Sequence, residues 1–164
     1  MIGQNTIKFI KSLNLKKNRQ LNKKVILEGY RLIVESIQAG TQIDYIVINE
    51  NFQNELLNIK EFENQNIKSA SKNNFKKISN TTNSQGIIAI ADVKKYFNQS
   101  LENIKKENII ILDGIQDPGN LGTIFRTCVW YGIKSIILTS NTIEPFNLKC
   151  IRSGMGAHFY LSNI

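Results

Sequence analysis

The 164 residues are 41% apolar and 21% charged, with two cysteines, one histidine and a net charge of +8. That composition suits one large globular domain or two small ones. It excludes a disulfide framework, because Cys128 and Cys150 have no paired spacing, and a membrane span, because no apolar run approaches about 20 residues. The lone His158 has no neighbouring ligands with which to hold a metal, and the N-terminus lacks the apolar core of a secretory signal, so a reducing cytosolic (cytoplasmic) location is expected.

The charge is uneven. Residues 1–31 hold Lys8, Lys11, Lys16, Lys17, Arg19, Lys23, Lys24 and Arg31 against the single acid Glu28. A basic face of this kind attracts polyanions, nucleic acid above all, through a salt-sensitive attraction; an ordinary solvated helix surface would look the same. Residues 5–22 read as one or two short basic helices, with Ile7, Ile10, Leu13, Leu15 and Leu21 as anchors and the cations outward. Val25–Leu27 reads as a strand ending at Glu28-Gly29. A helix over Tyr30–Ala39 follows, with Leu32, Ile33, Ser36 and Ile37 on one side and Gly40 as its stop.

Next come a strand at Tyr45–Ile48, a helix at Phe52–Ile59 with Leu56 and Ile59 inward, and a weak strand at Ile67–Ala70. A helix at Lys72–Ile78, a polar run from Ser79 to Gln85 and the strand Ile87–Ala91 complete an α/β sandwich over residues 1–92. Residues 93–108 are mainly polar and charged, with Tyr96, Phe97 and Leu101 as anchors, and read as a linker. A second α/β domain is expected over residues 109–164.

In that second part, the β-branched run Ile109–Leu112 predicts a buried strand of a parallel sheet. Asp113–Gly119 forms a loop rich in Gly and Pro. Asn120 stands where a helix cap would stand, before Leu121, Ile124, Phe125, Cys128 and Val129 on one helix face. Arg126 flanks that stripe, able to reach the crevice at the carboxyl ends of the strands where α/β sheets bind ligands. A strand at Ser135–Leu138, a helix near Leu148–Gly154 and a strand-like Ala157–Leu161 follow. Gly114, Gly119 and Gly122 do not fit G-x-G-x-x-G, and Gly119 is followed by Asn120 and Leu121 rather than the Lys and hydroxyl of a phosphate loop.

The order Asp113, Pro118, Asn120, Gly122, Arg126, Thr127 resembles the first signature motif of the SpoU (TrmH-type) RNA 2′-O-ribose methyltransferases of the SPOUT superfamily. Asn147–Ala157, with Lys149, Arg152, Ser153 and Gly156-Ala157, looks like that family's P-K-x-x-R-x-S-x-G-A stretch. Val25–Gly29 and Ser84–Ala89 resemble its substrate-binding domain, similar in fold to small RNA-binding ribosomal proteins. The resemblance implies a SPOUT domain of parallel sheet whose knot is missing here. It also implies S-adenosyl-L-methionine as cofactor, RNA, with rRNA expected, as substrate, a homodimer, and catalytic roles for Asn120 and Arg126. Lys16, Lys17, Arg19, Lys23, Lys24 and Arg152 are the candidate RNA contacts.

An Arg stays protonated at ordinary pH, so Arg126 would act electrostatically, on developing alkoxide charge or a neighbouring phosphate, rather than as a base. The family's later G-x-E-x-x-G and P-x-x-x-x-x-x-S-L-N-x-x-x-A segments, which form the cofactor pocket, are not found. The chain therefore reads as C-terminally truncated, and these residues alone are expected neither to bind the cofactor nor to turn over. The alternative from another class is a non-catalytic RNA-binding module using residues 1–92; a nucleotide-binding protein of another family is disfavoured by the failed phosphate-loop patterns.

Overall fold

The computed structural model describes residues 1–97, 99 and 108–164. The chain forms two compact units, Met1–Asp92 and Val93–Ile164.

The first unit begins with two helices, α1 (Gln4–Ser12) and α2 (Lys16–Asn22). Ile7, Ile10 and Leu13 are buried as expected, but Leu15 and Leu21 are 64% and 75% exposed. The inward position of α2 is taken by Arg19, which is 3% exposed. Its guanidinium donates to the carbonyls of Leu13 and Asn14, both at 2.8 Å, and so satisfies backbone acceptors left over at the end of α1. Arg19 thus departs from the outward-facing cation that its sequence position suggested.

Strands β1 (Lys24–Glu28), β2 (Ile43–Asn49), β3 (Ile67–Ala70) and β4 (Ile87–Asp92) form one sheet in the order β1-β4-β2-β3. Strand β4 runs antiparallel to both β1 and β2, while β2 and β3 are parallel. Ile87 to Ala91 are all fully buried; because successive side chains point to opposite faces, both faces of β4 are covered.

Helix α3 (Tyr30–Gln38) ends as Gly40 predicts. Gly40 has φ +78°, and Thr41 N–H and Gly40 N–H bond back to Ser36 and Ile37 carbonyls, a pairing that closes a helix over a left-handed residue. Helix α4 (Lys72–Ile78) is capped by the Ser71 hydroxyl. The helix expected over 52–59 is replaced by two 3-10 turns, Asn54–Leu57 and Lys60–Phe62, separated by extended Ile59. Phe62, in the second turn, and Phe52, just before the first, are buried, while Leu56 is exposed.

In the second unit, Tyr96 is buried, its hydroxyl donating to the carbonyls of His158 and Leu161. Of the expected linker, Leu101 lies outside the described residues. Strands β5 (Ile109–Leu112) and β6 (Ser135–Leu138) pair in parallel, and helices α5 (Pro118–Trp130) and α6 (Leu148–Gly154) pack beside them. Leu121, Phe125, Cys128, Ile136, Cys150, Ala157 and Leu161 form the core.

Strand β5 is not the buried strand expected: Ile109 and Ile111 are exposed, Ile111 at 67%, because nothing among the described residues covers that face. Ala157–Tyr160 is a 3-10 turn rather than a strand. The left-handed pair Met155 and Gly156 turns the chain before it, and strand-like pairing comes only at Asn163, which bridges Ser135.

Candidate functional site

The loops leaving β5 and β6 are joined to each other. The Thr139 hydroxyl donates to Asp113 Oδ1 at 2.7 Å, Thr139 N–H to the Leu112 carbonyl, Ile143 N–H to the Ile115 carbonyl and the Gln116 side chain to the Asn141 carbonyl. This fixes the carboxyl end of the parallel pair, from which α5 departs.

Asp117, not Asn120, caps that helix. Its Oδ1 accepts the Asn120 N–H at 2.8 Å, its Oδ2 accepts the Lys149 ammonium at 3.1 Å, and Pro118 opens the first turn. These partners, the Asn120 N–H foremost, hold the Asp117 carboxyl below its ordinary pKa. Asp followed by Pro is itself a helix-start signal, since Pro suits the first helical position. With the start set three residues earlier, Asn120 occupies the third helical position and its amide is left exposed.

Arg126 lies six residues further on, about 9 Å along the axis from Asn120 by helical rise. It too is exposed. Neither side chain has a hydrogen-bond or ion-pair partner among the described residues. Both fall in the arc of α5 opposite the buried Leu121, Gly122, Phe125 and Cys128.

Glycines make the α5–α6 crossing possible. A Cβ at Gly122 would stand 2.0 Å from Ser153 Oγ and 2.5 Å from the Cys150 carbonyl. Ser153 Oγ in turn donates toward the carbonyls of Cys150 and Pro118, at 3.0 and 3.2 Å. A Cβ at Gly154 would stand 2.6 Å from the His158 ring. His158 is fully buried against Phe125; its Nε2 lies 2.8 Å from the Pro145 carbonyl, which can only accept, so Nε2 carries the proton and Nδ1 is left without a partner. Burial lowers its pKa to about 4. The same burial pushes the Cys150 thiol up to about 12, with Glu144 adding to the shift, so neither group is poised for chemistry at neutral pH.

The other candidate cations divide. Lys16 and Lys17 are exposed on α2. Lys23 is half-buried in the left-handed position that ends α2. Lys24 sits between Asp44 at 2.7 Å and Asp92 at 2.8 Å; burial pulls its pKa down, but the two carboxylates outweigh burial and raise it. Arg19 is committed to carbonyls, as above, and Arg152 is half-buried in the last turn of α6. Sequence reasoning missed the roles of Asp117, Ser153 and Thr139, and also a polar cluster on Glu28. The carboxylate of Glu28 accepts from Ser79, Thr81 and Ser84 hydroxyls and from Asn80 N–H.

The MRM3-like substrate binding domain family matches residues 4–89, and the SpoU rRNA Methylase family matches residues 107–164. The chain belongs to the SpoU methylase family. It is 33% identical over 150 residues to the mouse protein named rRNA methyltransferase 3, mitochondrial, covering 86% of this chain and 35% of that one. It is 28% identical over 157 residues to the 23S rRNA (guanosine(2553)-2'-O)-methyltransferase RlmP of Bacillus subtilis, covering 94% of this chain and 59% of that one. An AdoMet-bound rRNA methyltransferase from Sinorhizobium meliloti has a similar structure, with TM-score 0.79 and 26% identity over 99% of this SpoU-family chain and 62% of that one. The chain thus spans between about a third and three fifths of the length of these relatives.

Proposed function

We propose that the protein is an S-adenosylmethionine-dependent RNA 2′-O-ribose methyltransferase acting on rRNA, with residues 1–92 as a substrate-binding domain and Arg126 and Asn120 at the reacting end. The observation that carries this is Arg126. It is exposed, without a partner among the described residues, on the helix that leaves the carboxyl end of a parallel strand pair, inside the segment that the SpoU family matches. A guanidinium held there stabilises negative charge as the 2′-oxygen loses its proton, and its fork grips the adjoining phosphate. Asn120, at the head of the same helix, offers an amide to the sugar.

S-adenosylmethionine supplies the activated methyl group when bound. A cofactor of that size needs a concave, largely apolar slot, and the loops after β5 and β6 are filled by their own hydrogen bonds. Among the described residues these loops do not offer a complete pocket, and the cofactor belongs to the reading of the whole protein, as does the homodimer. Lys16 and Lys17 are the preferred RNA contacts, with Lys23 and Arg152 behind them, whereas Arg19 and Lys24 serve the fold. Two buried free thiols suit a reducing cytoplasm.

Arg126→Ala in the full-length protein is expected to abolish methyl transfer, measured by label from S-adenosylmethionine into RNA, with RNA affinity nearly kept. Unchanged transfer in that variant overturns the assignment and leaves a non-catalytic RNA-binding module.

A further inference from the structure

A second group of cations, apart from those of α2, gathers where α1 and α4 pack against each other. Both helices belong to the first unit, inside the segment that the MRM3-like substrate binding domain family matches. Their apolar residues Ile7, Ile10, Phe75 and Ile78 are buried. What they expose is polar throughout: Lys8 and Lys11 on α1, Lys72, Lys76 and Lys77 on α4, and otherwise only Asn and Gln. Neither helix contains an acid. Lys77 donates to the Asn74 amide oxygen at 3.3 Å, and the Glu50 carboxylate accepts the Lys72 backbone N–H at 3.0 Å. Lys8, Lys11, Lys72 and Lys76 have no ion-pair partner among the described residues. This arrangement works against the helices. Lys8 and Lys11, like Lys72 and Lys76, are surface neighbours three and four positions apart, where like charges repel. The helix dipole favours Lys11, Lys76 and Lys77 near the carboxyl ends, but Lys72 stands in the first turn of α4, at the positive end. An anion laid across both helices offsets that repulsion.

We propose that the α1–α4 face holds the phosphate backbone of a double-helical stretch of RNA, a contact additional to Lys16 and Lys17; this rests on the RNA-methyltransferase reading above. Unpaired bases are gripped by exposed aromatic faces, whereas the aromatic residues of these helices, Phe9 and Phe75, are half-buried and buried. Double-helical RNA is recognised by shape, through its phosphates and 2′-hydroxyls, and lysines and side-chain amides are the groups that meet those without reading sequence. A membrane surface suits the face less well. A helix lying in the interface needs its apolar side free to enter the lipid, and in α1 and α4 that side is packed into the domain core.

The test follows binding of the chain to an end-labelled RNA hairpin by anisotropy, over a series of salt concentrations, with a single strand of equal length for comparison. Lys8→Gln with Lys72→Gln takes one cation from each helix. Lys60→Gln with Lys134→Gln removes the same charge from exposed lysines on neither helix. The first pair is expected to lower the slope of log affinity against log salt by about 0.7–0.9 for each contact, and to weaken hairpin binding about 10-fold near 0.1 M salt. The second pair should change both little, and Lys8→Arg with Lys72→Arg, which keeps the charge, should bind as the parent does. Because all four side chains are exposed, every variant should keep the unfolding midpoint of the parent.

Hairpin binding that falls equally in the two Gln pairs overturns the role of this face and leaves the RNA-binding reading standing. Absence of RNA binding by the parent chain overturns both. A loss on the single strand as large as that on the hairpin overturns the double-helical assignment. Binding to phosphatidylserine vesicles that the first pair abolishes, with RNA affinity unmoved, overturns the proposal in favour of a membrane surface.

Discussion

A methyl group at Gly122 would stand 2.0 Å from Ser153 Oγ and 2.7 Å from the Gly154 backbone nitrogen, so that residue sets how closely α5 and α6 cross. Gly122→Ala is expected to destabilise the protein by about 1–3 kcal/mol through overpacking, seen as a lower urea midpoint by circular dichroism. An unchanged midpoint would mean that α6 moves away freely. His158 makes a second prediction at this scale. Its pKa is lowered from 6.5 to about 4 by burial, so between those values the unfolded chain binds a proton that the folded chain refuses. Stability is then full above about pH 6.5 and falls as pH drops toward 4, by on the order of 3 kcal/mol. His158→Gln should flatten that limb, and since His158 is the only histidine, no other imidazole can mask the change.

Helix α2 contributes one cation to the fold and others to the surface. Arg19→Ala removes two charge-assisted hydrogen bonds to the Leu13 and Asn14 carbonyls just past α1 and should cost about 2–3 kcal/mol. Lys16→Ala with Lys17→Ala should leave stability alone, because both side chains are exposed, but should lower the salt dependence of RNA affinity by roughly two phosphate contacts' worth. Equal effects of the two changes on stability, or a salt slope that does not move, would show that this division of labour is wrong. For α5 the relevant feature is the register of its start. Moving the cap from Asn120 to Asp117 frees the Asn120 amide, and it ties the helix head to α6 through Lys149.

At the scale of the molecule, the second unit has two paired strands among the described residues, and Ile109 and Ile111 face outward from them. Isothermal titration of residues 1–164 with S-adenosylmethionine is expected to show no saturable heat; micromolar binding would overturn the expectation that these residues do not by themselves form the cofactor pocket.

The alternation of strands and helices was legible because each element has its own apolar period: the boundaries of α4 and α6, and those of β3, β5 and β6, match the sequence pattern. Local chemistry also carried the Gly40 stop and the family motif. The 3-10 turns at 54–62 and 157–160 were not legible, since short apolar runs do not distinguish a 3-10 turn from a helix or strand until burial is known. By itself, then, the sequence determined the element order, the basic N-terminal region and the ordered set around Asn120 and Arg126, because spacing along one chain is a local property. Only the tertiary structure decided which cations are free. Whether Arg19 or Lys16 meets solvent depends on the carbonyls and carboxylates that other segments bring to them, and no period in the sequence encodes that meeting.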